Sequence, residues 1–239
     1  MLIDAGKLDF RAVNQALRSS NSDAVITGCG GQRFIAAGMG KREITIHGIP
    51  GNALGAYLNG AVLDVYSNAQ DAVGDTMNDG EIIVHGSIGD AAGYAMRGGR
   101  IFVRDNAGYR AGIHMKEYRD KKPVLVIGGC AGSFLGEYQA GGIIIVLGLD
   151  RGERHIVGNF PCTGMHGGKM YLRSSCEDIQ FPKQVHAHPA DTNDLAEIRS
   201  YAEEYCRLFD RDIESVMDSP FTAVIPDTGN PYKQMYVAN

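Results

Sequence analysis

Seven histidines, five cysteines and a scatter of aspartates are the residues of this 239-residue chain whose types could do chemistry. His186 and His188 flank Ala187 ahead of Pro189, which fits either two ligands of a metal or an exposed loop, and the loop is the simpler reading. The HExxH and CxxC spacings that would argue for a metal are missing from the sequence. His47 and His85 each stand immediately before a glycine, and their place in a repeat, developed below, accounts for them without a ligand. Cys29, Cys130, Cys162, Cys176 and Cys206 are odd in number and unpaired in spacing. That argues against a disulfide framework and against an iron–sulfur or zinc site made by this chain alone; most of them read as small buried hydrophobes.

Asp64, Asp75, Asp79, Asp90 and Asp105 raise the question of glycan cleavage, which needs acids converging on one groove, usually beside aromatic subsites. These acids do not share one register of the repeat, and aromatic residues are only 8% of the chain. Glycine strings suggest dinucleotide phosphates, but that chemistry needs a strand leading into a helix whose N-terminus meets the phosphates. Here glycines lead to further glycines and another strand. Neither a nucleophile elbow nor a P-loop is present. The residues point to no catalytic, cofactor-binding or metal-binding set in this chain. The net charge of −5 and the lack of a basic cluster beyond Arg119, Lys121 and Lys122 argue against nucleic acid. The start MLIDAGKLDF lacks the pattern of a signal peptide, and the longest apolar run, Ile143 to Leu147, is too short to span a membrane. The expectation is a soluble cytoplasmic protein.

The elements that position these residues come from a repeat. Gly-x-x-Gly-x-x-x-Gly occurs at Gly48, Gly51, Gly55, at Gly86, Gly89, Gly93 and at Gly129, Gly132, Gly136. Imperfect copies start at Gly28 (with Gly31), at Ser67 (ending at Gly74) and at Asp105 (with Gly108 and Gly112); Gly164 and Gly168 belong to a later, irregular segment. Successive copies are 19 or 20 residues apart, except for a step of 24 that contains an insertion around Lys116 to Lys122. The strands share the period. One column reads Ile44, Leu63, Ile82, Ile101, Leu125, Ile144; a second, two residues on, reads Ile46, Val65, Val84, Val103, Ile127, Val146; both continue at Met170 and Leu172. A spacing of two puts both columns on one strand face. The residues between them (Thr45, Asp64, Ile83, Phe102, Val126, Ile145) are mixed, as on a face covered only in part.

One coil cannot bury such a face alone; stacked coils can. The pattern predicts an all-β fold, a right-handed parallel β-helix of about seven coils, with glycines at corners that need positive φ or close backbone approach. Residues 1–22 read as a lead-in with a short helix N-capped by Asp9, 23–176 as the β-helix, and 177–239 as a helix and extended tail packing on it. Asp194 and Glu197 read as the capping box of the second helix, whose stripe is Leu195, Ile198, Ala202, Tyr205, Leu208 and Phe209.

With the repeat laid out, the chain resembles the C-terminal Gly-rich β-helix domain of the glutamate synthase large subunit, in stand-alone form. The matching stretches are Ala12-Val-Asn14, Gly30-Gly-Gln-Arg-Phe34, the motif at Gly48 with Leu54-Gly-Ala-Tyr57, Gly136-Glu-Tyr138 with Gly141-Gly142 and Val146-Leu-Gly148, Gly164-Met-His-Gly-Gly168, and Phe221-Thr-Ala-Val-Ile-Pro226 with Tyr232-Lys233. The repeat also resembles the C subunit of formylmethanofuran dehydrogenase, but the closing segment favours glutamate synthase. The resemblance implies a scaffold without an active site of its own, holding amidotransferase and FMN-binding synthase subunits that carry the FMN and iron–sulfur clusters. The departures from the repeat, Lys116–Lys122 and Pro220–Asn239, are the candidate contact segments. Self-association through a flat flank and a β-helix enzyme acting on a glycan or small molecule are the other readings.

Overall fold

The two aliphatic columns form the interior of a parallel stack. In the computed structural model, which describes residues 1–227, nine strands pair in chain order, each parallel to the next. They are β1 (Leu2–Asp4), β2 (Ala24–Gly30), β3 (Glu43–Ile49), β4 (Asn59–Val65), β5 (Asp79–Val84), β6 (Arg100–Val103), β7 (Val124–Ile127), β8 (Ala140–Val146) and β9 (Gly167–Leu172). Ile44, Leu63, Ile82, Ile101, Leu125, Ile144 and Met170 are register partners, as are Ile46, Val65, Val84, Val103, Ile127, Val146 and Leu172. All fourteen are essentially inaccessible to solvent. The stack is a β-solenoid of about eight turns. It begins earlier than the columns read from Ile44 suggest, because Ile26 pairs with Ile46 and Ile3 with Ile26. A register shift between Ile26 and Cys29 and the small Ala24 hide that rung in the sequence.

The chain then reverses strand direction. β10 (Val185–Pro189) and β11 (Thr222–Pro226) pair antiparallel, and β11 adds antiparallel to β9. His186 and His188 therefore lie on a strand, not on the loop read from sequence, because Val185 and Ala187 alternate with them toward the apolar interior. Between these strands run α2 (Thr192–Phe209) and α3 (Ile213–Met217). Ile198, Ala202, Tyr205 and Phe209 of α2 cover the outer face of the later strands and bury Ile83, Phe102, Val126, Ile145 and Tyr171. Thr45 and Asp64, at the same register on β3 and β4, lie outside that second core. This explains the mixed column: it is apolar where α2 lies over it. Each large side chain so buried contributes roughly 1.5–3 kcal/mol. The capping box of α2 is Asp191 with Asp194, one turn earlier than Asp194 with Glu197. Glu197 is drawn instead to the sheet, accepting from Lys169 Nζ at 2.6 Å and the Tyr171 hydroxyl at 2.8 Å.

The corner after each Gly-rich motif has an unusual backbone. Residues at alternate positions take positive φ: Ala53, Gly55 and Tyr57 at 61°, 64° and 57°, and likewise Ala72, Gly74 and Thr76 in the next coil. The first and third N–H of each triplet donate to the following coil and the middle one to the preceding coil. Ala53 donates to Asp71 O, Gly55 to Ile35 O and Tyr57 to Asp75 O, at 2.8–2.9 Å. The corner thus joins coils in both directions. Seven such corners line up, and their side chains make two columns. The leading column is Phe34, Ala53, Ala72, Ala91, Arg110, Phe134, Phe160; the trailing one is Gly38, Tyr57, Thr76, Ala95, His114, Tyr138, Gly164. At the first corner no earlier corner exists to receive Ala36 N–H. Asn14 of α1 (Phe10–Arg18, N-capped by Asp9) accepts it through Oδ1 at 3.1 Å, while donating to Phe10 O.

The motif glycines answer two causes, which meet at Gly48, left-handed at φ 111° and overlain by Cys29 backbone. The third of each motif, such as Gly93 at φ 67°, sits in the left-handed region. The first two make room for stacking: a Cβ on Gly51 would fall 2.2 Å from Gly31 O, and one on Gly108 would fall 2.3 Å from Asp90 Oδ1. Gly93→Ala meets nothing closer than 3.7 Å, so it should cost only the left-handed penalty of about 1 kcal/mol. Gly51→Ala must spread two backbones and should cost roughly 3 kcal/mol; equal losses in chemical denaturation would contradict this division. Asn14→Leu should cost about 1–3 kcal/mol by stranding the buried Ala36 N–H, measured as a drop in Tm.

Candidate functional surfaces

The acids that suggest a groove are dispersed along the stack, each with its own partner. Asp64 Oδ1 lies 2.8 Å from His85 Nε2, Asp75 accepts from the Thr76 hydroxyl at 2.7 Å, and Asp79 pairs with Lys121 at 2.8 Å. Asp105 forms a bidentate pair with Arg104 at 2.9–3.0 Å. Asp90 belongs to a ladder in which Asn52, Asp71 and Asp90 each accept the backbone N–H of the next coil (Asp71, Asp90 and Tyr109) through Oδ1. A second ladder runs from Asn68 through Ser87 to Asn106. These side chains saturate corner N–H groups, which is a structural use. The motif glycines leave the space for their oxygens: Gly89 over Asp71, Gly129 over Asn106.

His47 and His85 are the ends of a ring stack. Tyr66, midway between them at one coil's spacing, stacks on His47 (centroids 5.3 Å, 27°) and on His85 (4.4 Å, 6°), and His85 meets the edge of Phe209 at 5.2 Å. The Asp64 carboxylate beside Tyr66 holds its phenol above the ordinary value. Sequence reasoning missed Tyr66, although its register with both histidines was available. His186 and His188 stack at 5.3 Å, and His188 Nε2 lies 3.1 Å from Asp194 Oδ2, which pins β10 to the start of α2. Among the described residues, no three His, Cys, Asp or Glu side chains are placed to hold a metal. All five cysteines are free and buried; burial pushes Cys29 up to about 11 and Cys162 up to about 12, far from thiolate reactivity. Among the described residues, no helix is long and apolar enough to cross a membrane.

Three exposed features remain. The Lys116–Lys122 insertion folds into a tight hairpin in which Tyr118 and Lys121 exchange backbone hydrogen bonds; Lys121 anchors it to Asp79 and leaves Tyr118 outward. The outer face of β1 to β4 carries an exposed apolar pair, Leu2 beside Val25. The corner flank carries two rows of rings in its later coils: Tyr109–Phe134–Phe160 at 5.3 and 5.2 Å, and Tyr94–His114–Tyr138 at 5.9 and 5.2 Å. The Arg110 guanidinium lies 4.6 Å from the Tyr109 ring centre and 5.2 Å from that of Phe134, and pairs with Glu137 at 2.6 Å. Phe160 is 64% exposed. Of the segment Pro220–Asn239, Thr222–Pro226 enters the sheet as β11; residues 228–239, with Tyr232 and Lys233 of the resemblance, lie outside the described residues.

A parallel β-solenoid whose corners are set by periodic glycines, with its acids and histidines engaged in coil-to-coil and seam contacts, is the class of protein these features define. The chain belongs to the GXGXG motif family, whose pattern it matches over residues 12–227. It is also 43% identical over 250 aligned positions to an uncharacterized protein of Methanocaldococcus jannaschii, with 99% of this chain and 96% of that protein covered.

Glu81 is held above the ordinary range of a carboxyl. It lies at the seam with α2, where burial raises its pKa against the opposing pull of Arg100, 2.8 Å away. A carboxyl raised by folding contributes stability below its unfolded value and loses it as pH rises through the folded one. Glu81→Gln should therefore raise Tm at pH 7, with the gain fading as pH falls toward about 4. A gain that persists in acid would contradict the burial of this charge.

Proposed function

We propose that this protein is a non-catalytic assembly subunit of a glutamate synthase-like enzyme, holding separately encoded amidotransferase and FMN-dependent synthase polypeptides in a fixed relation. The observation that carries this reading is the GXGXG match across residues 12–227, because that pattern accounts for the solenoid itself and leaves little of the described chain over for a catalytic domain. The dispersal of Asp64, Asp75, Asp79, Asp90 and Asp105, each bound to its own partner, supports it against a glycan-cleaving groove. In this reading the FMN and iron–sulfur clusters reside in the partner subunits, the assembly works in the cytoplasm, and Tyr118 on the insertion and the Leu2–Val25 face are contact points. Exposed apolar groups rimmed by charge suit that use.

Purification of the native protein at its natural level, followed by identification of what accompanies it, tests the reading. Amidotransferase and flavin-containing synthase subunits in constant ratio are expected. Recovery with the subunits of a formylmethanofuran dehydrogenase, with another enzyme, or alone would overturn it.

A further inference from the structure

The two corner columns are complementary to themselves when one is reversed. Numbering the corners one to seven from Phe34 to Phe160, a twofold axis crossing the flank between corners four and five sets corner two against seven, three against six and four against five. In the leading column this places Ala53 opposite Phe160, Ala72 opposite Phe134 and Ala91 opposite Arg110. In the trailing column it places Tyr57 opposite Gly164, Thr76 opposite Tyr138 and Ala95 opposite His114. Every one of the six pairs joins a large side chain to a small one. The coil spacing of about 4.8 Å is common to both copies, so the match of one pair carries the rest into register.

Charge follows the same division. The hollow made by Ala72 and Ala91 is bordered by Asp71 and Asp90, both exposed, whereas the ridge carries Arg110. Reversal brings each Arg110 to the acidic border of the other copy. The ridge presents Phe160 at 64% and Tyr138 at 42% exposure, and on the other half the exposed Tyr57 falls opposite Gly164. These rings are held rigidly by stacking, so little side-chain freedom is lost on contact.

We propose that the corner flank is the interface of an antiparallel, isologous dimer, in which the ring ridge of each copy seats in the alanine hollow of the other. The twofold makes the surface close on itself, so association stops at two. This goes beyond the assembly role and does not depend on it; a host complex built on the dimer contains two solenoids, with the Leu2–Val25 face left free.

Sedimentation equilibrium on the purified full chain tests it. The expected species has twice the 25.7 kDa of the single chain. Ala72→Phe sets ring against ring and should weaken association about a hundredfold, as should Phe134→Ala by emptying the hollow. The backbone accepts the first change, since Ala72 and Phe134 share φ values of 56° and 59°. The double variant Ala72→Phe/Phe134→Ala exchanges ridge and hollow and should restore affinity to within about threefold of the parent. Circular dichroism of each variant confirms that the fold is retained. A parent that is monomeric throughout its soluble range, a dimer indifferent to Ala72→Phe, or a folded double variant that stays monomeric would each overturn the proposal.

Discussion

Backbone hydrogen bonding between successive coils is the constraint on which the rest of the structure depends. A coil of nineteen or twenty residues has too little interior to bury a core, and its strand has no partner within the coil. Both deficits are met by the next coil, at a spacing that backbone geometry fixes. Anything that holds two coils apart acts on the β strand pairing and on the corner together. That is why glycine recurs where backbone runs over backbone, and why Asn and Asp ladders stand where a corner N–H would otherwise lack an acceptor. The alternation of positive φ along each corner serves the same end: it turns alternate N–H groups up and down the stack, so the corner bonds to both neighbouring coils.

Much of this was legible in the sequence because a solenoid converts distance along the chain into position in space with a single period. The columns beginning at Ile44 and Ile46 needed only that period, and the mixed column between them already recorded which rungs α2 would cover. Legibility failed where local chemistry competed with the period. Ala24 and the shift after Ile26 concealed the second rung. At α2, Asp194 and Glu197 looked like the capping pair; what decided was tertiary, since Lys169 and Tyr171 on β9 claim Glu197 and leave Asp194 to bond back to Asp191. His186 and His188 looked like loop residues because only two small apolar neighbours, Val185 and Ala187, signal the strand.

The candidate surfaces were less legible for a different reason. The motif glycines draw attention to themselves and away from the residues between them, yet those residues carry the surface of the flank. Tyr66 between His47 and His85, and the change from alanine to ring along the leading corner column, obey the same period as the core. They are outward-facing and chemically varied, so no single residue type marks them. The proposed assembly role is less legible still, because docking calls for no reactive group that a sequence could display.

The reversal of strand direction at β11 has a consequence for length. A parallel stack offers each new coil the same template as the last, and nothing in a regular coil says where to stop. Here α1 and Asn14 occupy the place of a coil at one end, and an antiparallel pair closes the other. The nine parallel rungs between them span eight steps of about 4.8 Å, roughly 38 Å. Whatever is fastened near the two ends is held at that separation by hydrogen bonds that cannot be stretched or shortened by less than a whole rung. The fold is in that sense a ruler, graduated in coils and cut to size at both ends.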